Sequence, residues 1–321
     1  MNYRSVADLS ADTHNLARRL SGEVDLVVGI PRSGLLAANL LSLHLDVPMT
    51  DVDGLEDRRV LTTGNRYEDV RSFEEFESAL VIDDSVLSGT QMTETQSRLD
   101  ARELPFDVEY AAVYISAWGD EHVDHWGEVV SSPRVFEWNL LHHPLLADTC
   151  VDIDGVLCRD PTPSENDDGE NYREFLTEVQ PNVIPNQRIG WLVTARLETY
   201  RPETEAWLDE HGIEYDELVM LDLPDMETRR QRGNHAQYKA GVYDDSDAVL
   251  FIESDPEQAK GIRSKTGKPV FCYERNEMLQ PRRVDEFRSR TAEGVREWTQ
   301  SPVMYPARAG LRLYHWIRHQ I

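Results

Sequence analysis

At 321 residues, 40% of them apolar, the chain is long enough for two packed domains and too apolar to be disordered. Its 59 acidic residues outnumber 33 basic ones, and a net charge of -26 would repel nucleic acid and anionic membranes, so neither is expected as a partner. It has no uninterrupted apolar run of about 18 residues and no secretory pattern in its first twenty, so a cytoplasmic protein is expected. In chain order, residues 5–20 have helical spacing, DLVVG (25–29) is a buried-strand run, and residues 35–45 form a helix rich in leucine and alanine. ALVID (79–83) is a second strand, residues 90–99 a helix, and VEYAAVYIS (108–116) a third strand. The pattern then restarts with TCVDID (149–154), GWLVTA (190–195), ELVML (217–221), AVLFIE (248–253) and PVFCYE (269–274). Short apolar strands separated by helices predict an α/β chain of two doubly wound parallel-sheet domains. The expected boundaries are 1–147 and 148–275, followed by a helical tail over 276–321. The tail's aromatic and arginine content suits an interface helix, and with it a homo-oligomer.

LVIDDSVLSGTQM (80–92) places two carboxylates at the end of a strand, then a small-residue loop that opens a helix. Such a loop cradles a phosphate: Ser85, Ser88 and Thr90 offer hydroxyls, Gly89 lets the backbone approach, and Asp83 and Asp84 can accept from ribose hydroxyls. VVGIPRSG (27–34) is a second small-residue loop at a strand end, with Arg32 for charge-assisted contacts and amides around Ser33 and Gly34. Either motif alone is also an ordinary turn or cap. Together, in this order, they resemble the phosphoribosyl-pyrophosphate (PRPP) motif and the pyrophosphate loop of type I phosphoribosyltransferases. The resemblance implies that Asp83 and Asp84 hold the 2- and 3-hydroxyls of PRPP, that residues 85–91 hold its 5-phosphate, and that Arg32, Ser33 and Gly34 meet pyrophosphate. The family's final threonine is Gln91 here, with Thr90 next to it.

Residues 55–70 fall where that family has a loop closing over PRPP, and Arg59 or Arg66 could act there, although a solvated loop fits equally well. Residues 125–143 fall where the family binds its acceptor base, and Phe136 or Trp138 could stack on a planar ring. Purine salvage members usually carry a lysine there, whereas the first lysine of this chain is Lys239.

TCVDIDGVLCRD (149–160) sets two aspartates two residues apart at the end of a buried strand, followed by Gly155. Buried carboxylates at that spacing need a cation. The segment resembles motif I of the haloacid-dehalogenase-like (HAD) phosphohydrolases, which implies a Rossmannoid second domain with Asp152 as nucleophile and Asp154 as general acid/base. Further matches in family order imply that Thr194 holds a phosphoryl oxygen, that Lys239 supplies a cation, and that Glu253 and Asp255 join Asp152 and Asp154 around Mg2+. Ser254 stands between the last two acids, a departure from the commoner adjacent pair.

Cys150, Cys158 and Cys272 form no disulfide or zinc pattern and read as buried apolar side chains. The acidic, lysine-poor composition resembles proteins of salt-adapted archaea, although an ordinary acidic protein also fits. The expected function is bifunctional: phosphoribosyl transfer from PRPP to a base or base-like small molecule, and magnesium-dependent hydrolysis of a phosphomonoester, possibly the transfer product. The alternative is a PRPP- or nucleotide-sensing domain that controls the phosphatase.

Overall fold

Strands β2 (Leu26–Gly29) and β4 (Ser78–Val86) are apolar at successive positions because both faces of their sheet are covered. Val27, Leu80 and Ile82 face one core cluster, while Leu26, Val28 and Val81 face the other, as the two-residue period of a strand dictates. The structure is a computed structural model that describes residues 1–20, 24–61, 72–117, 119–223 and 235–280. The chain divides into two units, residues 1–143 and 144–321.

In the first unit β1 (Asn2–Arg4) and α1 (Val6–Leu20) precede β2, α2 (Gly34–Leu45), β3 (Met49–Asp51) and α3 (Val52–Glu56). After β4 come α4 (Thr90–Asp100), β5 (Asp107–Ile115), β6 (His125–Val129) and β7 (Arg134–Phe136). Five strands form a parallel sheet in the order β3-β2-β4-β5-β6. Helices α1 and α2 supply Leu9, Leu16, Ala38 and Leu41 to one core layer, and α4 supplies Met92 and Leu99 to the other. β1 and β7 pair in parallel as a separate two-stranded sheet, with Asn2 opposite Arg134 and Arg4 opposite Phe136.

The second unit contains β8 (Thr149–Val151), α5 (Glu170–Glu178), β9 (Ile189–Leu197), α6 (Arg201–Glu210) and β10 (Tyr215–Leu221). It continues through α7 (His235–Asp245), β11 (Leu250–Glu253), α8 (Pro256–Thr266), β12 (Val270–Cys272) and β13 (Glu277–Leu279). The sheet order is β10-β9-β8-β11-β12-β13, parallel except for β13. β13 corrects one expectation, because a helix was anticipated from residue 276. Asn276, at φ 51, reverses the chain, and Glu277–Leu279 then pair antiparallel with β12. Residues 281–321, the rest of the expected helical tail, lie outside the described residues. No helix among the described residues is long and apolar enough to cross a membrane. All three cysteines are buried and unbridged.

Candidate functional site

Each sheet has a point where the chain leaves neighbouring strands toward opposite edges, and such a crevice at the carboxyl ends is where α/β proteins bind ligands. In the first unit it lies between β2 and β4, which pair as Gly29 with Ile82. The loop after β2, with a cis Pro31–Arg32 bond, therefore meets the end of β4. Ser33 Oγ donates to Asp84 Oδ1 at 2.7 Å, joining the two segments expected to hold pyrophosphate and ribose. Gly34 permits this approach: a Cβ there would lie 2.9 Å from both Asp83 Oδ1 and the Ile82 carbonyl oxygen.

Asp83 and Asp84 are 8% and 4% exposed, and the Asp84 amide donates to Asp83 Oδ1 at 2.8 Å. Burial first, and the neighbouring Asp84 second, push the Asp83 carboxyl up to about 8. Ser85 belongs to β4 itself, so the exposed loop is shorter than the sequence suggested. Ser88 and Thr90 are exposed with hydroxyl oxygens 3.0 Å apart, and Gly89, at φ 77, precedes the N-terminus of α4. Arg32 is exposed.

The aromatic expectation needs correction. Phe136 is 3% exposed, and its ring lies nearly parallel to Tyr114 and Trp138 at 5.4 and 4.9 Å. It is a core residue with no open face for a base. Trp138 is half-buried, and its Nε1 donates to Asp84 Oδ2 at 2.9 Å, a contact invisible in the sequence. Arg59 is exposed beside Asp51, and Arg66 lies outside the described residues.

The crevice of the second unit lies between β8 and β11, both of which end in acids. Lys239, from α7, is 2% exposed and donates at 2.7 Å to Asp152 Oδ2 and at 2.7 Å to Glu253 Oε2. Burial disfavours its ammonium, but the two carboxylates more than reverse this and hold its pKa above the ordinary value. One cation cannot neutralise two buried carboxylates, so burial keeps Asp152 above the usual carboxylate range despite Lys239. Glu253 is fully buried as Lys239's second counter-ion, not open to the cavity as a metal ligand would be.

Asp154 is held by Arg196, which sequence reasoning did not single out. Arg196 is fully buried and donates from Nη2 to Asp154 Oδ1 at 2.7 Å and from Nε to Oδ2 at 3.1 Å. The adjacent turn requires Gly155, at φ 80, where a Cβ would fall 2.3 Å from Ser254 Oγ. Thr194 is fully buried and accepts from the Arg196 amide at 3.2 Å. Asp255 caps α8, accepting from the Glu257 and Gln258 amides at 2.9 and 2.7 Å.

A cavity of about 640 Å³ opens here, bordered by Asp152, Asp154, Asp160, Lys239 and Asp255. Burial, then Asp154, raises Asp160 above the ordinary carboxylate range. Among the described residues no three His, Cys, Asp or Glu side chains gather as a metal cage. Magnesium needs fewer protein ligands, keeping waters and substrate phosphate beside one or two carboxylates. The excess of carboxylates over Lys239 around this cavity fits such a cation.

Among solved structures, the chain is similar to a xanthine-guanine-hypoxanthine phosphoribosyltransferase of Helicobacter pylori, at 17% identity and TM-score 0.33, over 43% of this chain and 92% of that one. It is similar to a purine phosphoribosyltransferase of Pyrococcus horikoshii at 19% identity and TM-score 0.32, again over 43% and 92%. A hypothetical protein from Neisseria gonorrhoeae with bound ppGpp matches at 18% identity and TM-score 0.33, over 43% and 89%. No curated protein matches the chain. Residues 2–144, nearly the whole of the first unit, match the family model described as the phosphoribosyl transferase domain.

Proposed function

We propose that the first unit transfers the phosphoribosyl group of PRPP to a base or base-like acceptor, and that the second hydrolyses a phosphomonoester as a HAD-like enzyme. The observation that carries the first half is the junction of the two phosphate loops through Ser33 and Asp84, within the matched residues. Asp83 and Asp84 accept from the ribose hydroxyls, the segment from Ser85 to Thr90 holds the 5-phosphate, and Arg32 meets pyrophosphate. Magnesium, when bound with PRPP, offsets the charge of the leaving group. An acceptor nitrogen then bonds to C1 as the C1–oxygen bond breaks and pyrophosphate leaves with its electron pair.

In the second unit Asp152 attacks phosphorus, and Asp154 protonates the leaving oxygen and later takes a proton from the attacking water. Lys239 orients Asp152 and faces the transferring phosphoryl group. Arg196 fixes the Asp154 carboxylate. Magnesium, held by Asp152 and Asp255, would neutralise phosphoryl oxygens.

Hydrolysis of a generic phosphomonoester should require magnesium, stop with chelator, and fall by about 10³-fold or more in Asp152→Asn. Wild-type turnover in that variant removes the nucleophile assignment. A second reading, a PRPP- or nucleotide-sensing domain controlling the phosphatase, is favoured by the engagement of both Asp84 oxygens by Ser33 and Trp138. PRPP binding without pyrophosphate release for any acceptor would select that reading.

A further inference from the structure

Strand β7 carries a buried charge that the transfer scheme leaves unused. Arg134 is 6% exposed, and its Nη1 is buried without a hydrogen-bond partner. Its guanidinium lies 5.4 Å from the centre of the Phe136 ring, a contact that supplies no carboxylate. Two further buried polar atoms, Asn139 Oδ1 and His142 Nδ1, find no partner either, and both belong to the short turn that follows β7. Buried polar groups are nearly always satisfied, so three unsatisfied groups within nine residues mark a place shaped for something else. The same turn carries Trp138, whose bond to Asp84 ties this cluster to the ribose end of the site. Arg134 and Asp84 feel each other's charge without forming an ion pair.

We propose that Arg134 receives a carboxylate on the acceptor, so that the acceptor of the first unit is a planar ring bearing an acidic group, with Asn139 and His142 completing its polar contacts. This rests on the transfer reading above. A guanidinium offers only donors, in a planar fork that fits two carboxylate oxygens, so an amino edge of a base meets nothing complementary there. A keto oxygen satisfies one hydrogen bond and leaves the charge uncompensated. A carboxylate supplies both. During transfer it is a spectator: a ring nitrogen bonds to C1, pyrophosphate departs with the electron pair of the broken bond, and Arg134 keeps its proton.

The test uses the full chain with PRPP and magnesium, reading pyrophosphate release and equilibrium binding. The probes are pyridine and pyrimidine carboxylates, their amides, hypoxanthine and adenine. At least one carboxylate should exceed its own amide by about tenfold or more. Arg134→Gln should erase that preference and Arg134→Lys should keep part of it, while PRPP binding stays near the wild-type level in both. Because Arg134 forms no ion pair among the described residues, Arg134→Gln should unfold at a temperature no lower than the wild type. Carboxylates and amides performing equally, or a large loss of thermal stability in Arg134→Gln, would overturn the proposal and leave PRPP binding intact. Failure of the wild type to bind PRPP would instead overturn the transfer reading, and this inference with it.

Discussion

The first site keeps two adjacent carboxylates, Asp83 and Asp84, with no cation in contact among the described residues, whereas in the second Lys239 touches both Asp152 and Glu253 and Arg196 grips Asp154. Both occupy the reversal point of a parallel sheet, so the backbone solves the same problem twice. The charges are handled differently. At the second site the cations arrive with the fold, and three carboxylates are fixed before any ligand binds. At the first, burial and mutual repulsion hold Asp83 up to about 8, and its ionisation depends on what arrives. One site meets its ligand with cations already in place, and the other, among the described residues, does not.

The sharpest way to break this contrast is Lys239→Met. Removing the cation from a buried cluster leaves Asp152 and Glu253 uncompensated, so stability should fall by about 3–5 kcal/mol and phosphatase activity should vanish. Urea unfolding measures the first effect. A variant as stable as the wild type would show that the cluster does not depend on its cation.

A second effect is expected from pH acting on Asp83. Its folded pKa lies above its unfolded value, so the folded state retains a proton the unfolded chain has lost. The contribution of this group to stability is therefore full below about pH 4, falls as pH rises toward about 8, and is flat beyond. Asp83→Asn should remove that fall, which thermal unfolding across the range would reveal. Ligand binding that uses the ionised carboxylate should strengthen over the same range. An unchanged pH profile in Asp83→Asn would contradict the assigned environment.

The smallest difference is expected from salt. Concentrated potassium chloride should raise the unfolding midpoint by screening the repulsion behind a net charge of -26. The rise should be nearly equal in wild type and Lys239→Met, because salt screens a buried cluster little. A flat salt response would remove the reading of the chain as salt-adapted.

The strands and the two small-residue loops at their ends were legible in the sequence because they are local: an apolar run, then small residues and acids at the strand end. LVIDDSVLSGT shows its chemistry within eleven neighbouring positions. What escaped depends on distant contacts. Trp138 reaches Asp84 across 54 residues and Arg196 reaches Asp154 across 42, and neither has a spacing rule to reveal it. Phe136 and Trp138 look interchangeable as aromatic residues, but strand β7 buries the first in the core and the turn after it turns the second toward the carboxylates. Arg134 lies within residues 125–143, and its importance comes from burial without an ion pair among the described residues, a property of packing rather than of composition. The edge strand at Glu277–Leu279 was likewise hidden, because its partner β12 and the reversal at Asn276 decide its conformation.

The central claim is that Asp83, Asp84 and the loop after them bind PRPP in the first unit. Calorimetry of the full chain with magnesium and PRPP, repeated with the combined Asp83→Asn and Asp84→Asn variant, addresses it directly. The account predicts saturable binding by the wild type and binding weaker by about tenfold or more in the variant, which should still hydrolyse phosphomonoesters at the wild-type rate. Folded wild-type protein that shows no PRPP binding, or a double variant that binds it equally well, would contradict the account.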